Sequence, residues 1–220
     1  MRYVIGVDES GCGALVGPLV VCAAAFAEGA ERVSAAWHGV REDKILLAGD
    51  SKGFKHAEHR AALAEAVRAA SPSLITIERS SADIDQHLLG GVFSEALQLA
   101  ALRCLERLKT LDPSVTSGDI TVMVDGDVPQ PNLPCVVRCI PNGDKTDWRI
   151  GAASIVARAI CDQRIDAIHA EYPRWGFDRS RGYPTPEHKA LLLERGPLPI
   201  HRRTFKPVRD VLPTPIGVEE

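Results

Sequence analysis

The stretch VIGVDESGCGALVGPLVV, Val4 to Val21, decides how the rest of the chain is read. Residues 2–8 carry the apolar, β-branched pattern of a buried strand, and that strand ends in two adjacent acids, Asp8 and Glu9. Gly11, Gly13 and Gly17 then strip the next loop of side chains, and the Gly17-Pro18 turn sends the chain back through a second apolar strand over 19–26. Charge at a strand end, followed by nearly bare backbone, leaves two matters to explain: what the acids face, and what approaches that backbone so closely.

Working outward, the alanine-rich run 56–69 has the composition of a helix, and 74–77 reads as a short strand. Val92, Phe93, Ala96, Leu97, Ala100, Cys104, Leu105 and Leu108 recur on one 3.6-residue face and predict a helix, closed by Asp112-Pro113. Residues 120–124 form a strand pattern ending in Asp125-Gly126, and 136–140 form another. Ile150, Ala153, Ala157, Ile160 and Ile168 make the stripe of a long helix over 148–171. A short helix over 187–195 stops at Gly196-Pro197. The segment 28–50 is ambiguous between a strand and a short helix, and the tail after Pro207 reads as loose. Strands first, then strands alternating with helices, predict an α/β domain with a mixed sheet over residues 1–171, followed by a helical and loop extension over 172–220.

The chain of 220 residues is 45% apolar and 25% charged, ordinary values for a globular protein. No apolar run reaches the ~18–20 residues of a membrane helix, and the opening Met1-Arg2-Tyr3 lacks the basic, apolar and cleavage-site series of a secretory signal. Six cysteines are scattered without a CxxC pair. Together these predict a reduced, cytoplasmic protein with no membrane partner. A net charge of −3 argues against nucleic acid, yet residues 172–209 carry nine Lys or Arg against three acids. On charge alone, a solvated surface and a face for a polyanion explain that excess equally well.

Asp8, Glu9, Asp125 and Asp144 all sit at, or just past, the ends of elements that could be sheet neighbours. A single acid in such a place is usually a turn residue or a cap, and Asp144 alone fits a helix cap. Clustered carboxylates repel and resist ionisation when buried. Divalent cations reverse that cost, and hard oxygen ligands suit Mg²⁺ or Mn²⁺. Spacing alone favours scattered structural acids over a shared site.

Seven motifs occur in one order: VDESGCGALVGPLV, GDSK at 49–52, VDG at 124–126, NGD at 142–144, AASIVAR at 152–158, RGYPT at 181–185 and HRRTFKPV at 201–208. In that order they resemble ribonuclease HII, the type 2 ribonuclease H family, from Val4 to about Val208. The resemblance implies a ribonuclease H-like mixed sheet flanked by helices, with a C-terminal helical extension. It implies that Asp8, Glu9, Asp125 and Asp144 are catalytic and bind Mg²⁺ or Mn²⁺. The implied reaction is hydrolysis of the phosphodiester 5′ of a ribonucleotide, leaving 3′-hydroxyl and 5′-phosphate. The implied partners are RNA–DNA hybrids and duplex DNA with embedded ribonucleotides, acted on by a monomer.

Telling RNA from DNA requires sensing the 2′-hydroxyl, and Gly11 and Gly13 would allow backbone groups to approach it. In the family this loop reads Gly-Arg-Gly and works with the tyrosine matched by Tyr183, which would pack on the next sugar. Here Cys12 replaces the arginine, removing a guanidinium that could meet a phosphate. Gly53 and Cys161 stand where a second lysine and an arginine are common. By the same resemblance Lys52, Ser154, Arg158 and Arg181 join the substrate-binding set. Phosphate binding and a solvated helix face serve Arg158 equally. His188, His201, Trp148 and Trp175 fit packing better than chemistry, Asp162 fits an ion pair within its helix, and Cys135 and Cys139 fit buried thiols. Two rivals stand beside the nuclease: a binding module for hybrids whose cleavage is reduced or altered by Cys12, and a nuclease of the same fold acting on DNA junctions.

Overall fold

Strand β2 (Leu19–Ala27) is buried on both faces, which is why LVVCAAAFA shows no alternation. Its residues split by period 2 between two cores: Val20, Cys22, Ala24 and Phe26 on one side, Val21, Ala23 and Ala25 on the other. The computed structural model describes residues 1–29 and 57–213; the ambiguous 28–50 reading, Lys52 and Gly53 fall wholly or largely outside them. Within the described residues the strands are β1 (Tyr3–Ser10), β2, β3 (Leu74–Arg79), β4 (Ile120–Asp125) and β5 (Val136–Ile140). They form one sheet in the order β3-β2-β1-β4-β5. β1–β2 and β2–β3 are antiparallel, whereas β1–β4 and β4–β5 are parallel, so the sheet is mixed as expected.

The first core lies under α1 (Ala57–Ala70) and α5 (Trp148–Glu171), where Leu63, Val67, Ile155 and Val156 meet β2. The second lies under α3 (Leu89–Leu111), whose Ala96, Leu97, Ala100, Cys104, Leu105 and Leu108 cover Ile5, Val7, Val122 and Val124. Six of the eight residues of the sequence stripe lie in this core, Phe93 packs at its edge, and Val92 is buried beside Leu19 and Ile84. Helix α5 can cross β1 closely because Gly6 has no side chain: a Cβ there would stand 2.2 Å from the Arg149 carbonyl oxygen. That contact seats the first turns of α5 beside the end of β1.

The segment after Tyr172 folds back on the sheet domain. It carries α6 (Phe177–Ser180), α7 (Pro186–Arg195) and α8 (Lys206–Arg209). Trp175, Phe177, Leu192 and Val208 pack with Leu15 and Val16 of the glycine loop and Ile165 of α5. Trp148 packs on Phe26, with ring centroids 4.7 Å apart, so both tryptophans named above are packing residues. All six cysteines are free; Cys135 and Cys139 are half-buried rather than buried, because β5 is an edge strand. Among the described residues no single helix is long and apolar enough to cross a membrane.

Candidate active site

Parallel pairing of β1 with β4 runs to Val7 opposite Val124, so Asp8 and Asp125 come next at the same ends of neighbouring strands. β4 in turn pairs with β5 up to Asp125 opposite Ile140. Beyond β5, Asn142 takes a left-handed conformation (φ 54°) and turns the chain into α4 (Gly143–Thr146). Asp144 sits in that first turn and its N–H donates to Asp125 Oδ1 at 3.2 Å. The parallel part of the sheet thus delivers three acids to one end, where open α/β sheets hold their ligands. Glu9 follows Asp8 directly. A cleft of about 210 Å³ at this end is lined by all four carboxylates with Gly11, Cys12, Gly13, Ser154, Arg158 and Tyr183.

Asp8 is 5% exposed, and burial, followed by the charges of Glu9 and Asp125, pushes its carboxyl well above the usual range. The Ser154 hydroxyl and the Glu9 N–H, which donates to Asp8 Oδ1 at 2.7 Å, pull partly the other way. Glu9 is raised by burial and then by Asp125. Carboxylates crowded together at this cost are the donor chemistry of a hard divalent cation. As the side chains stand, no three Asp, Glu, His or Cys groups among the described residues converge to the spacing that encloses an ion. The oxygen donors that share the cleft suit a hard divalent cation by their chemistry.

The loop beside the acids is tightly built. Gly11 has φ +91°, and a Cβ there would lie 2.4 Å from the Pro18 carbonyl oxygen. Gly13 instead borders the Tyr183 ring, 3.6 Å from where its Cβ would be. Cys12 turns its Sγ toward Glu9 Oε1 at 3.7 Å, and burial followed by that carboxylate raises the thiol, which stays protonated. Tyr183 is held through Arg158, whose Nη1 donates to its hydroxyl at 3.5 Å and whose guanidinium lies 5.7 Å from the ring centroid.

The substrate-binding candidates do not all face the cleft. Gly11, Cys12, Gly13, Ser154, Arg158 and Tyr183 line it. Arg181 lines the back of the loop and pairs its guanidinium with Asp162 (Nε–Oδ1 3.1 Å) and Asp166. Asp162, 3% exposed, also binds Arg60 at 2.6 Å and Arg158 at 3.3 Å, so its pairs reach well beyond its own helix. Lys52 lies outside the described residues.

Behind Tyr183 the two buried histidines form a relay. Leu198 N–H donates to His201 Nδ1 at 2.9 Å, and His188 Nδ1–H donates to the Tyr183 carbonyl at 2.9 Å. The remaining proton of His201 is therefore on Nε2 and donates to His188 Nε2 at 3.0 Å. Both rings are neutral: burial lowers His188, and burial followed by His188 lowers His201 to about 4. One residue was not singled out within its motif HRRTFKPV: Arg202, fully buried, donates to two carbonyls of the glycine loop. The first of two adjacent arginines in a basic run looks like surface charge, and only its distant carbonyl partners reveal its role.

Comparison with known proteins agrees with this geometry. The family profile for Ribonuclease HII matches residues 5–208. A Ribonuclease HII of Granulibacter bethesdensis is 38% identical over 210 residues, 95% of this chain and 86% of its own. That of Bordetella pertussis is 35% identical over 207 residues, 94% and 90% of the two chains. Among solved structures, ribonuclease H2 from Pyrococcus horikoshii superposes with TM-score 0.72 at 24% identity, covering 95% of this chain and 96% of its own. A Bst-RNase HIII in complex with Mn²⁺ superposes with TM-score 0.66 at 17% identity, covering 96% and 69%. Sheet order, motif order and sequence similarity over nearly the whole length converge, and the chain belongs to the ribonuclease HII family, the type 2 ribonuclease H endonucleases.

Proposed function

We propose that this protein is a monomeric, cytoplasmic endoribonuclease that cuts the phosphodiester 5′ of ribonucleotides, both in RNA–DNA hybrids and where single ribonucleotides are embedded in duplex DNA. One observation carries the reading: four carboxylates, a bare glycine loop and Tyr183 line the same cleft. Asp8 and Asp125 would flank the metals, with Glu9 and Asp144 completing the oxygen ligands and orienting water. The chemistry that a pair of Mg²⁺ or Mn²⁺ ions supplies when bound is activation of that water and stabilisation of the leaving oxygen. The fold neighbour whose structure was solved in complex with Mn²⁺ supports divalent metal use.

The chain's own groups would divide the work. Water oxygen bonds to phosphorus, the P–O3′ bond breaks, and the upstream nucleotide leaves with a 3′-hydroxyl while the ribonucleotide keeps the 5′-phosphate. Backbone groups at Gly11–Gly13 would meet the 2′-hydroxyl, which a Cβ-bearing loop would hold away. Tyr183 would stack on the following sugar, and Arg158 beside it would draw in a phosphate. Lys52 would supply a further phosphate contact, whereas Arg181 would serve by orienting Arg158 through their shared Asp162.

The test is a set of three labelled duplexes, one with a single ribonucleotide, one full hybrid and one all-DNA, each with Mg²⁺, Mn²⁺ or chelator. Cleavage of the first two at the 5′ side of ribose, and only with metal, is expected. Binding of hybrid without cleavage in either metal would instead favour the binding-module reading. Cleavage of all-DNA duplex would favour the junction nuclease.

A further inference from the structure

The glycine loop is shaped by a side chain 190 residues away along the chain. Arg202 is 0% exposed, a costly place for a permanent charge unless its donors are used. Its Nη1 donates to the Cys12 carbonyl at 3.0 Å and its Nη2 to the Gly17 carbonyl at 2.9 Å. One planar fork therefore spans both ends of the loop. The guanidinium lies 5.1 Å from the Phe205 ring centroid, and among the described residues its Nε–H meets no acceptor. Burial lowers Arg202 to about 10, which still leaves it charged at neutral pH.

The segment that carries Arg202 is itself fixed. Arg202 N–H donates to Leu15 O at 2.8 Å, and Val16 bridges to His201. The N–H groups of Arg203 and Thr204 donate to the Asp85 carboxylate at 2.8 and 2.9 Å. From the opposite side Leu15 N–H donates to Gly182 O at 2.7 Å, next to Tyr183. A trans peptide holds its C=O and N–H antiparallel. Drawing the Cys12 carbonyl toward Arg202 thus turns the Gly13 N–H away from it, and Gly13 lines the carboxylate cleft. The Cys12 side chain takes no part in this, being turned to Glu9.

We infer that Arg202 is a positioning residue that sets the ribose-sensing geometry of the loop from Gly11 to Gly17, so that loop shape does not depend on an arginine at position 12. The inference rests on the ribonucleotide-cleaving function proposed above. Arg202→Lys keeps the charge and removes the fork, and Arg202→Gln keeps a planar amide without the charge. Two readouts apply: amide hydrogen exchange across 11–17 against β1 and β2, and kcat and KM on the single-ribonucleotide duplex and the full hybrid. In Arg202→Lys, exchange in the loop is expected to rise about tenfold or more while the strands keep their protection. kcat/KM on the single ribonucleotide is expected to fall about tenfold or more, and less on the hybrid, which offers a ribose at every register. Arg202→Gln should do the same more strongly. Unchanged loop exchange, or equal losses on both substrates, overturns the inference. Should both variants fail to fold, wild-type exchange decides: a clamped loop is protected within about tenfold of β2, and exchange as fast as an exposed terminus overturns the clamp. Should the wild type cleave nothing, the exchange arm still reads the clamp, so the two failures are told apart.

Discussion

Gly13→Ala separates what the loop does for substrate from what it does for folding. Gly13 is not among the positive-φ residues, and a methyl there would meet the Tyr183 ring at 3.6 Å, ordinary van der Waals contact. Folding should tolerate the change. Removing glycine's freedom from the unfolded chain stabilises by about 0.4–1 kcal/mol, or about 1–4 °C for a chain of this size. The same methyl would fill the gap between loop and tyrosine and hold the backbone off the 2′-hydroxyl. Losing that hydrogen bond costs about 1–3 kcal/mol, about 5- to 150-fold in kcat/KM. Gly11→Ala is the contrast. There φ is +91° and the new Cβ would collide with Pro18 O at 2.4 Å, so a loss of at least about 2 kcal/mol of stability is expected. Thermal unfolding and cleavage of a duplex with one ribonucleotide measure both. Gly13→Ala cutting within twofold of wild type, or unfolding as early as Gly11→Ala, refutes the division of roles.

Other outcomes follow from the same geometry. Asp8→Asn removes one of three crowded carboxylates that repel one another, so without metal it should melt no lower than wild type; Asp8→Asn and Asp125→Asn should each abolish cleavage, while hybrid binding stays measurable. Wild type in Mg²⁺ at about a hundred times its Kd gains about 2.7 kcal/mol, about 5–11 °C in Tm, and Asp8→Asn should lose most of that shift. His201 is held near 4 against about 6.5 when unfolded. The unfolded chain therefore takes the proton first: stability from this group is full above about pH 6.5 and is lost as pH falls toward 4. Urea midpoints at pH 7.5 and 5 should show it, with a flatter slope in His201→Gln. Cys12→Arg adds a cation at the loop and should lower KM a few-fold at low salt. That gain should vanish at high salt, with substrate preference unchanged.

The helices and strands that the sequence announces are those with enough length to show a period. The α3 stripe and β2 lie in the core as their patterns require, whereas α5 is buried well beyond its stripe and Ile168 is only partly covered. The short elements α4, α6 and α8 span a single turn, too little for any periodicity. Helix α2 (Ser81–His87) did carry a signal, the capping box from Ser80 to Asp83, with reciprocal bonds of 3.1 and 2.8 Å. At the site, the positions of the acids at strand ends are legible, but each alone reads as a turn residue or cap, and spacing does not gather them. Parallel pairing, which brings Asp8 beside Asp125, is not written in either strand. Arg181 shows the same limit. Its place in RGYPT carries no sign that Asp162 and Asp166 on α5, one helical turn apart, pair with its guanidinium. Buried partners distant in sequence, such as Arg202 with Cys12 and Gly17, leave no local trace at all.

The most direct measurement is anomalous diffraction from crystals grown in Mn²⁺. Divalent ions bound by oxygens of Asp8, Glu9, Asp125 and Asp144, in the cleft that Gly13 and Tyr183 also line, are the expected result. Mn²⁺ bound elsewhere while the four carboxylates stay apart, in a protein that still cuts at ribose, would contradict it.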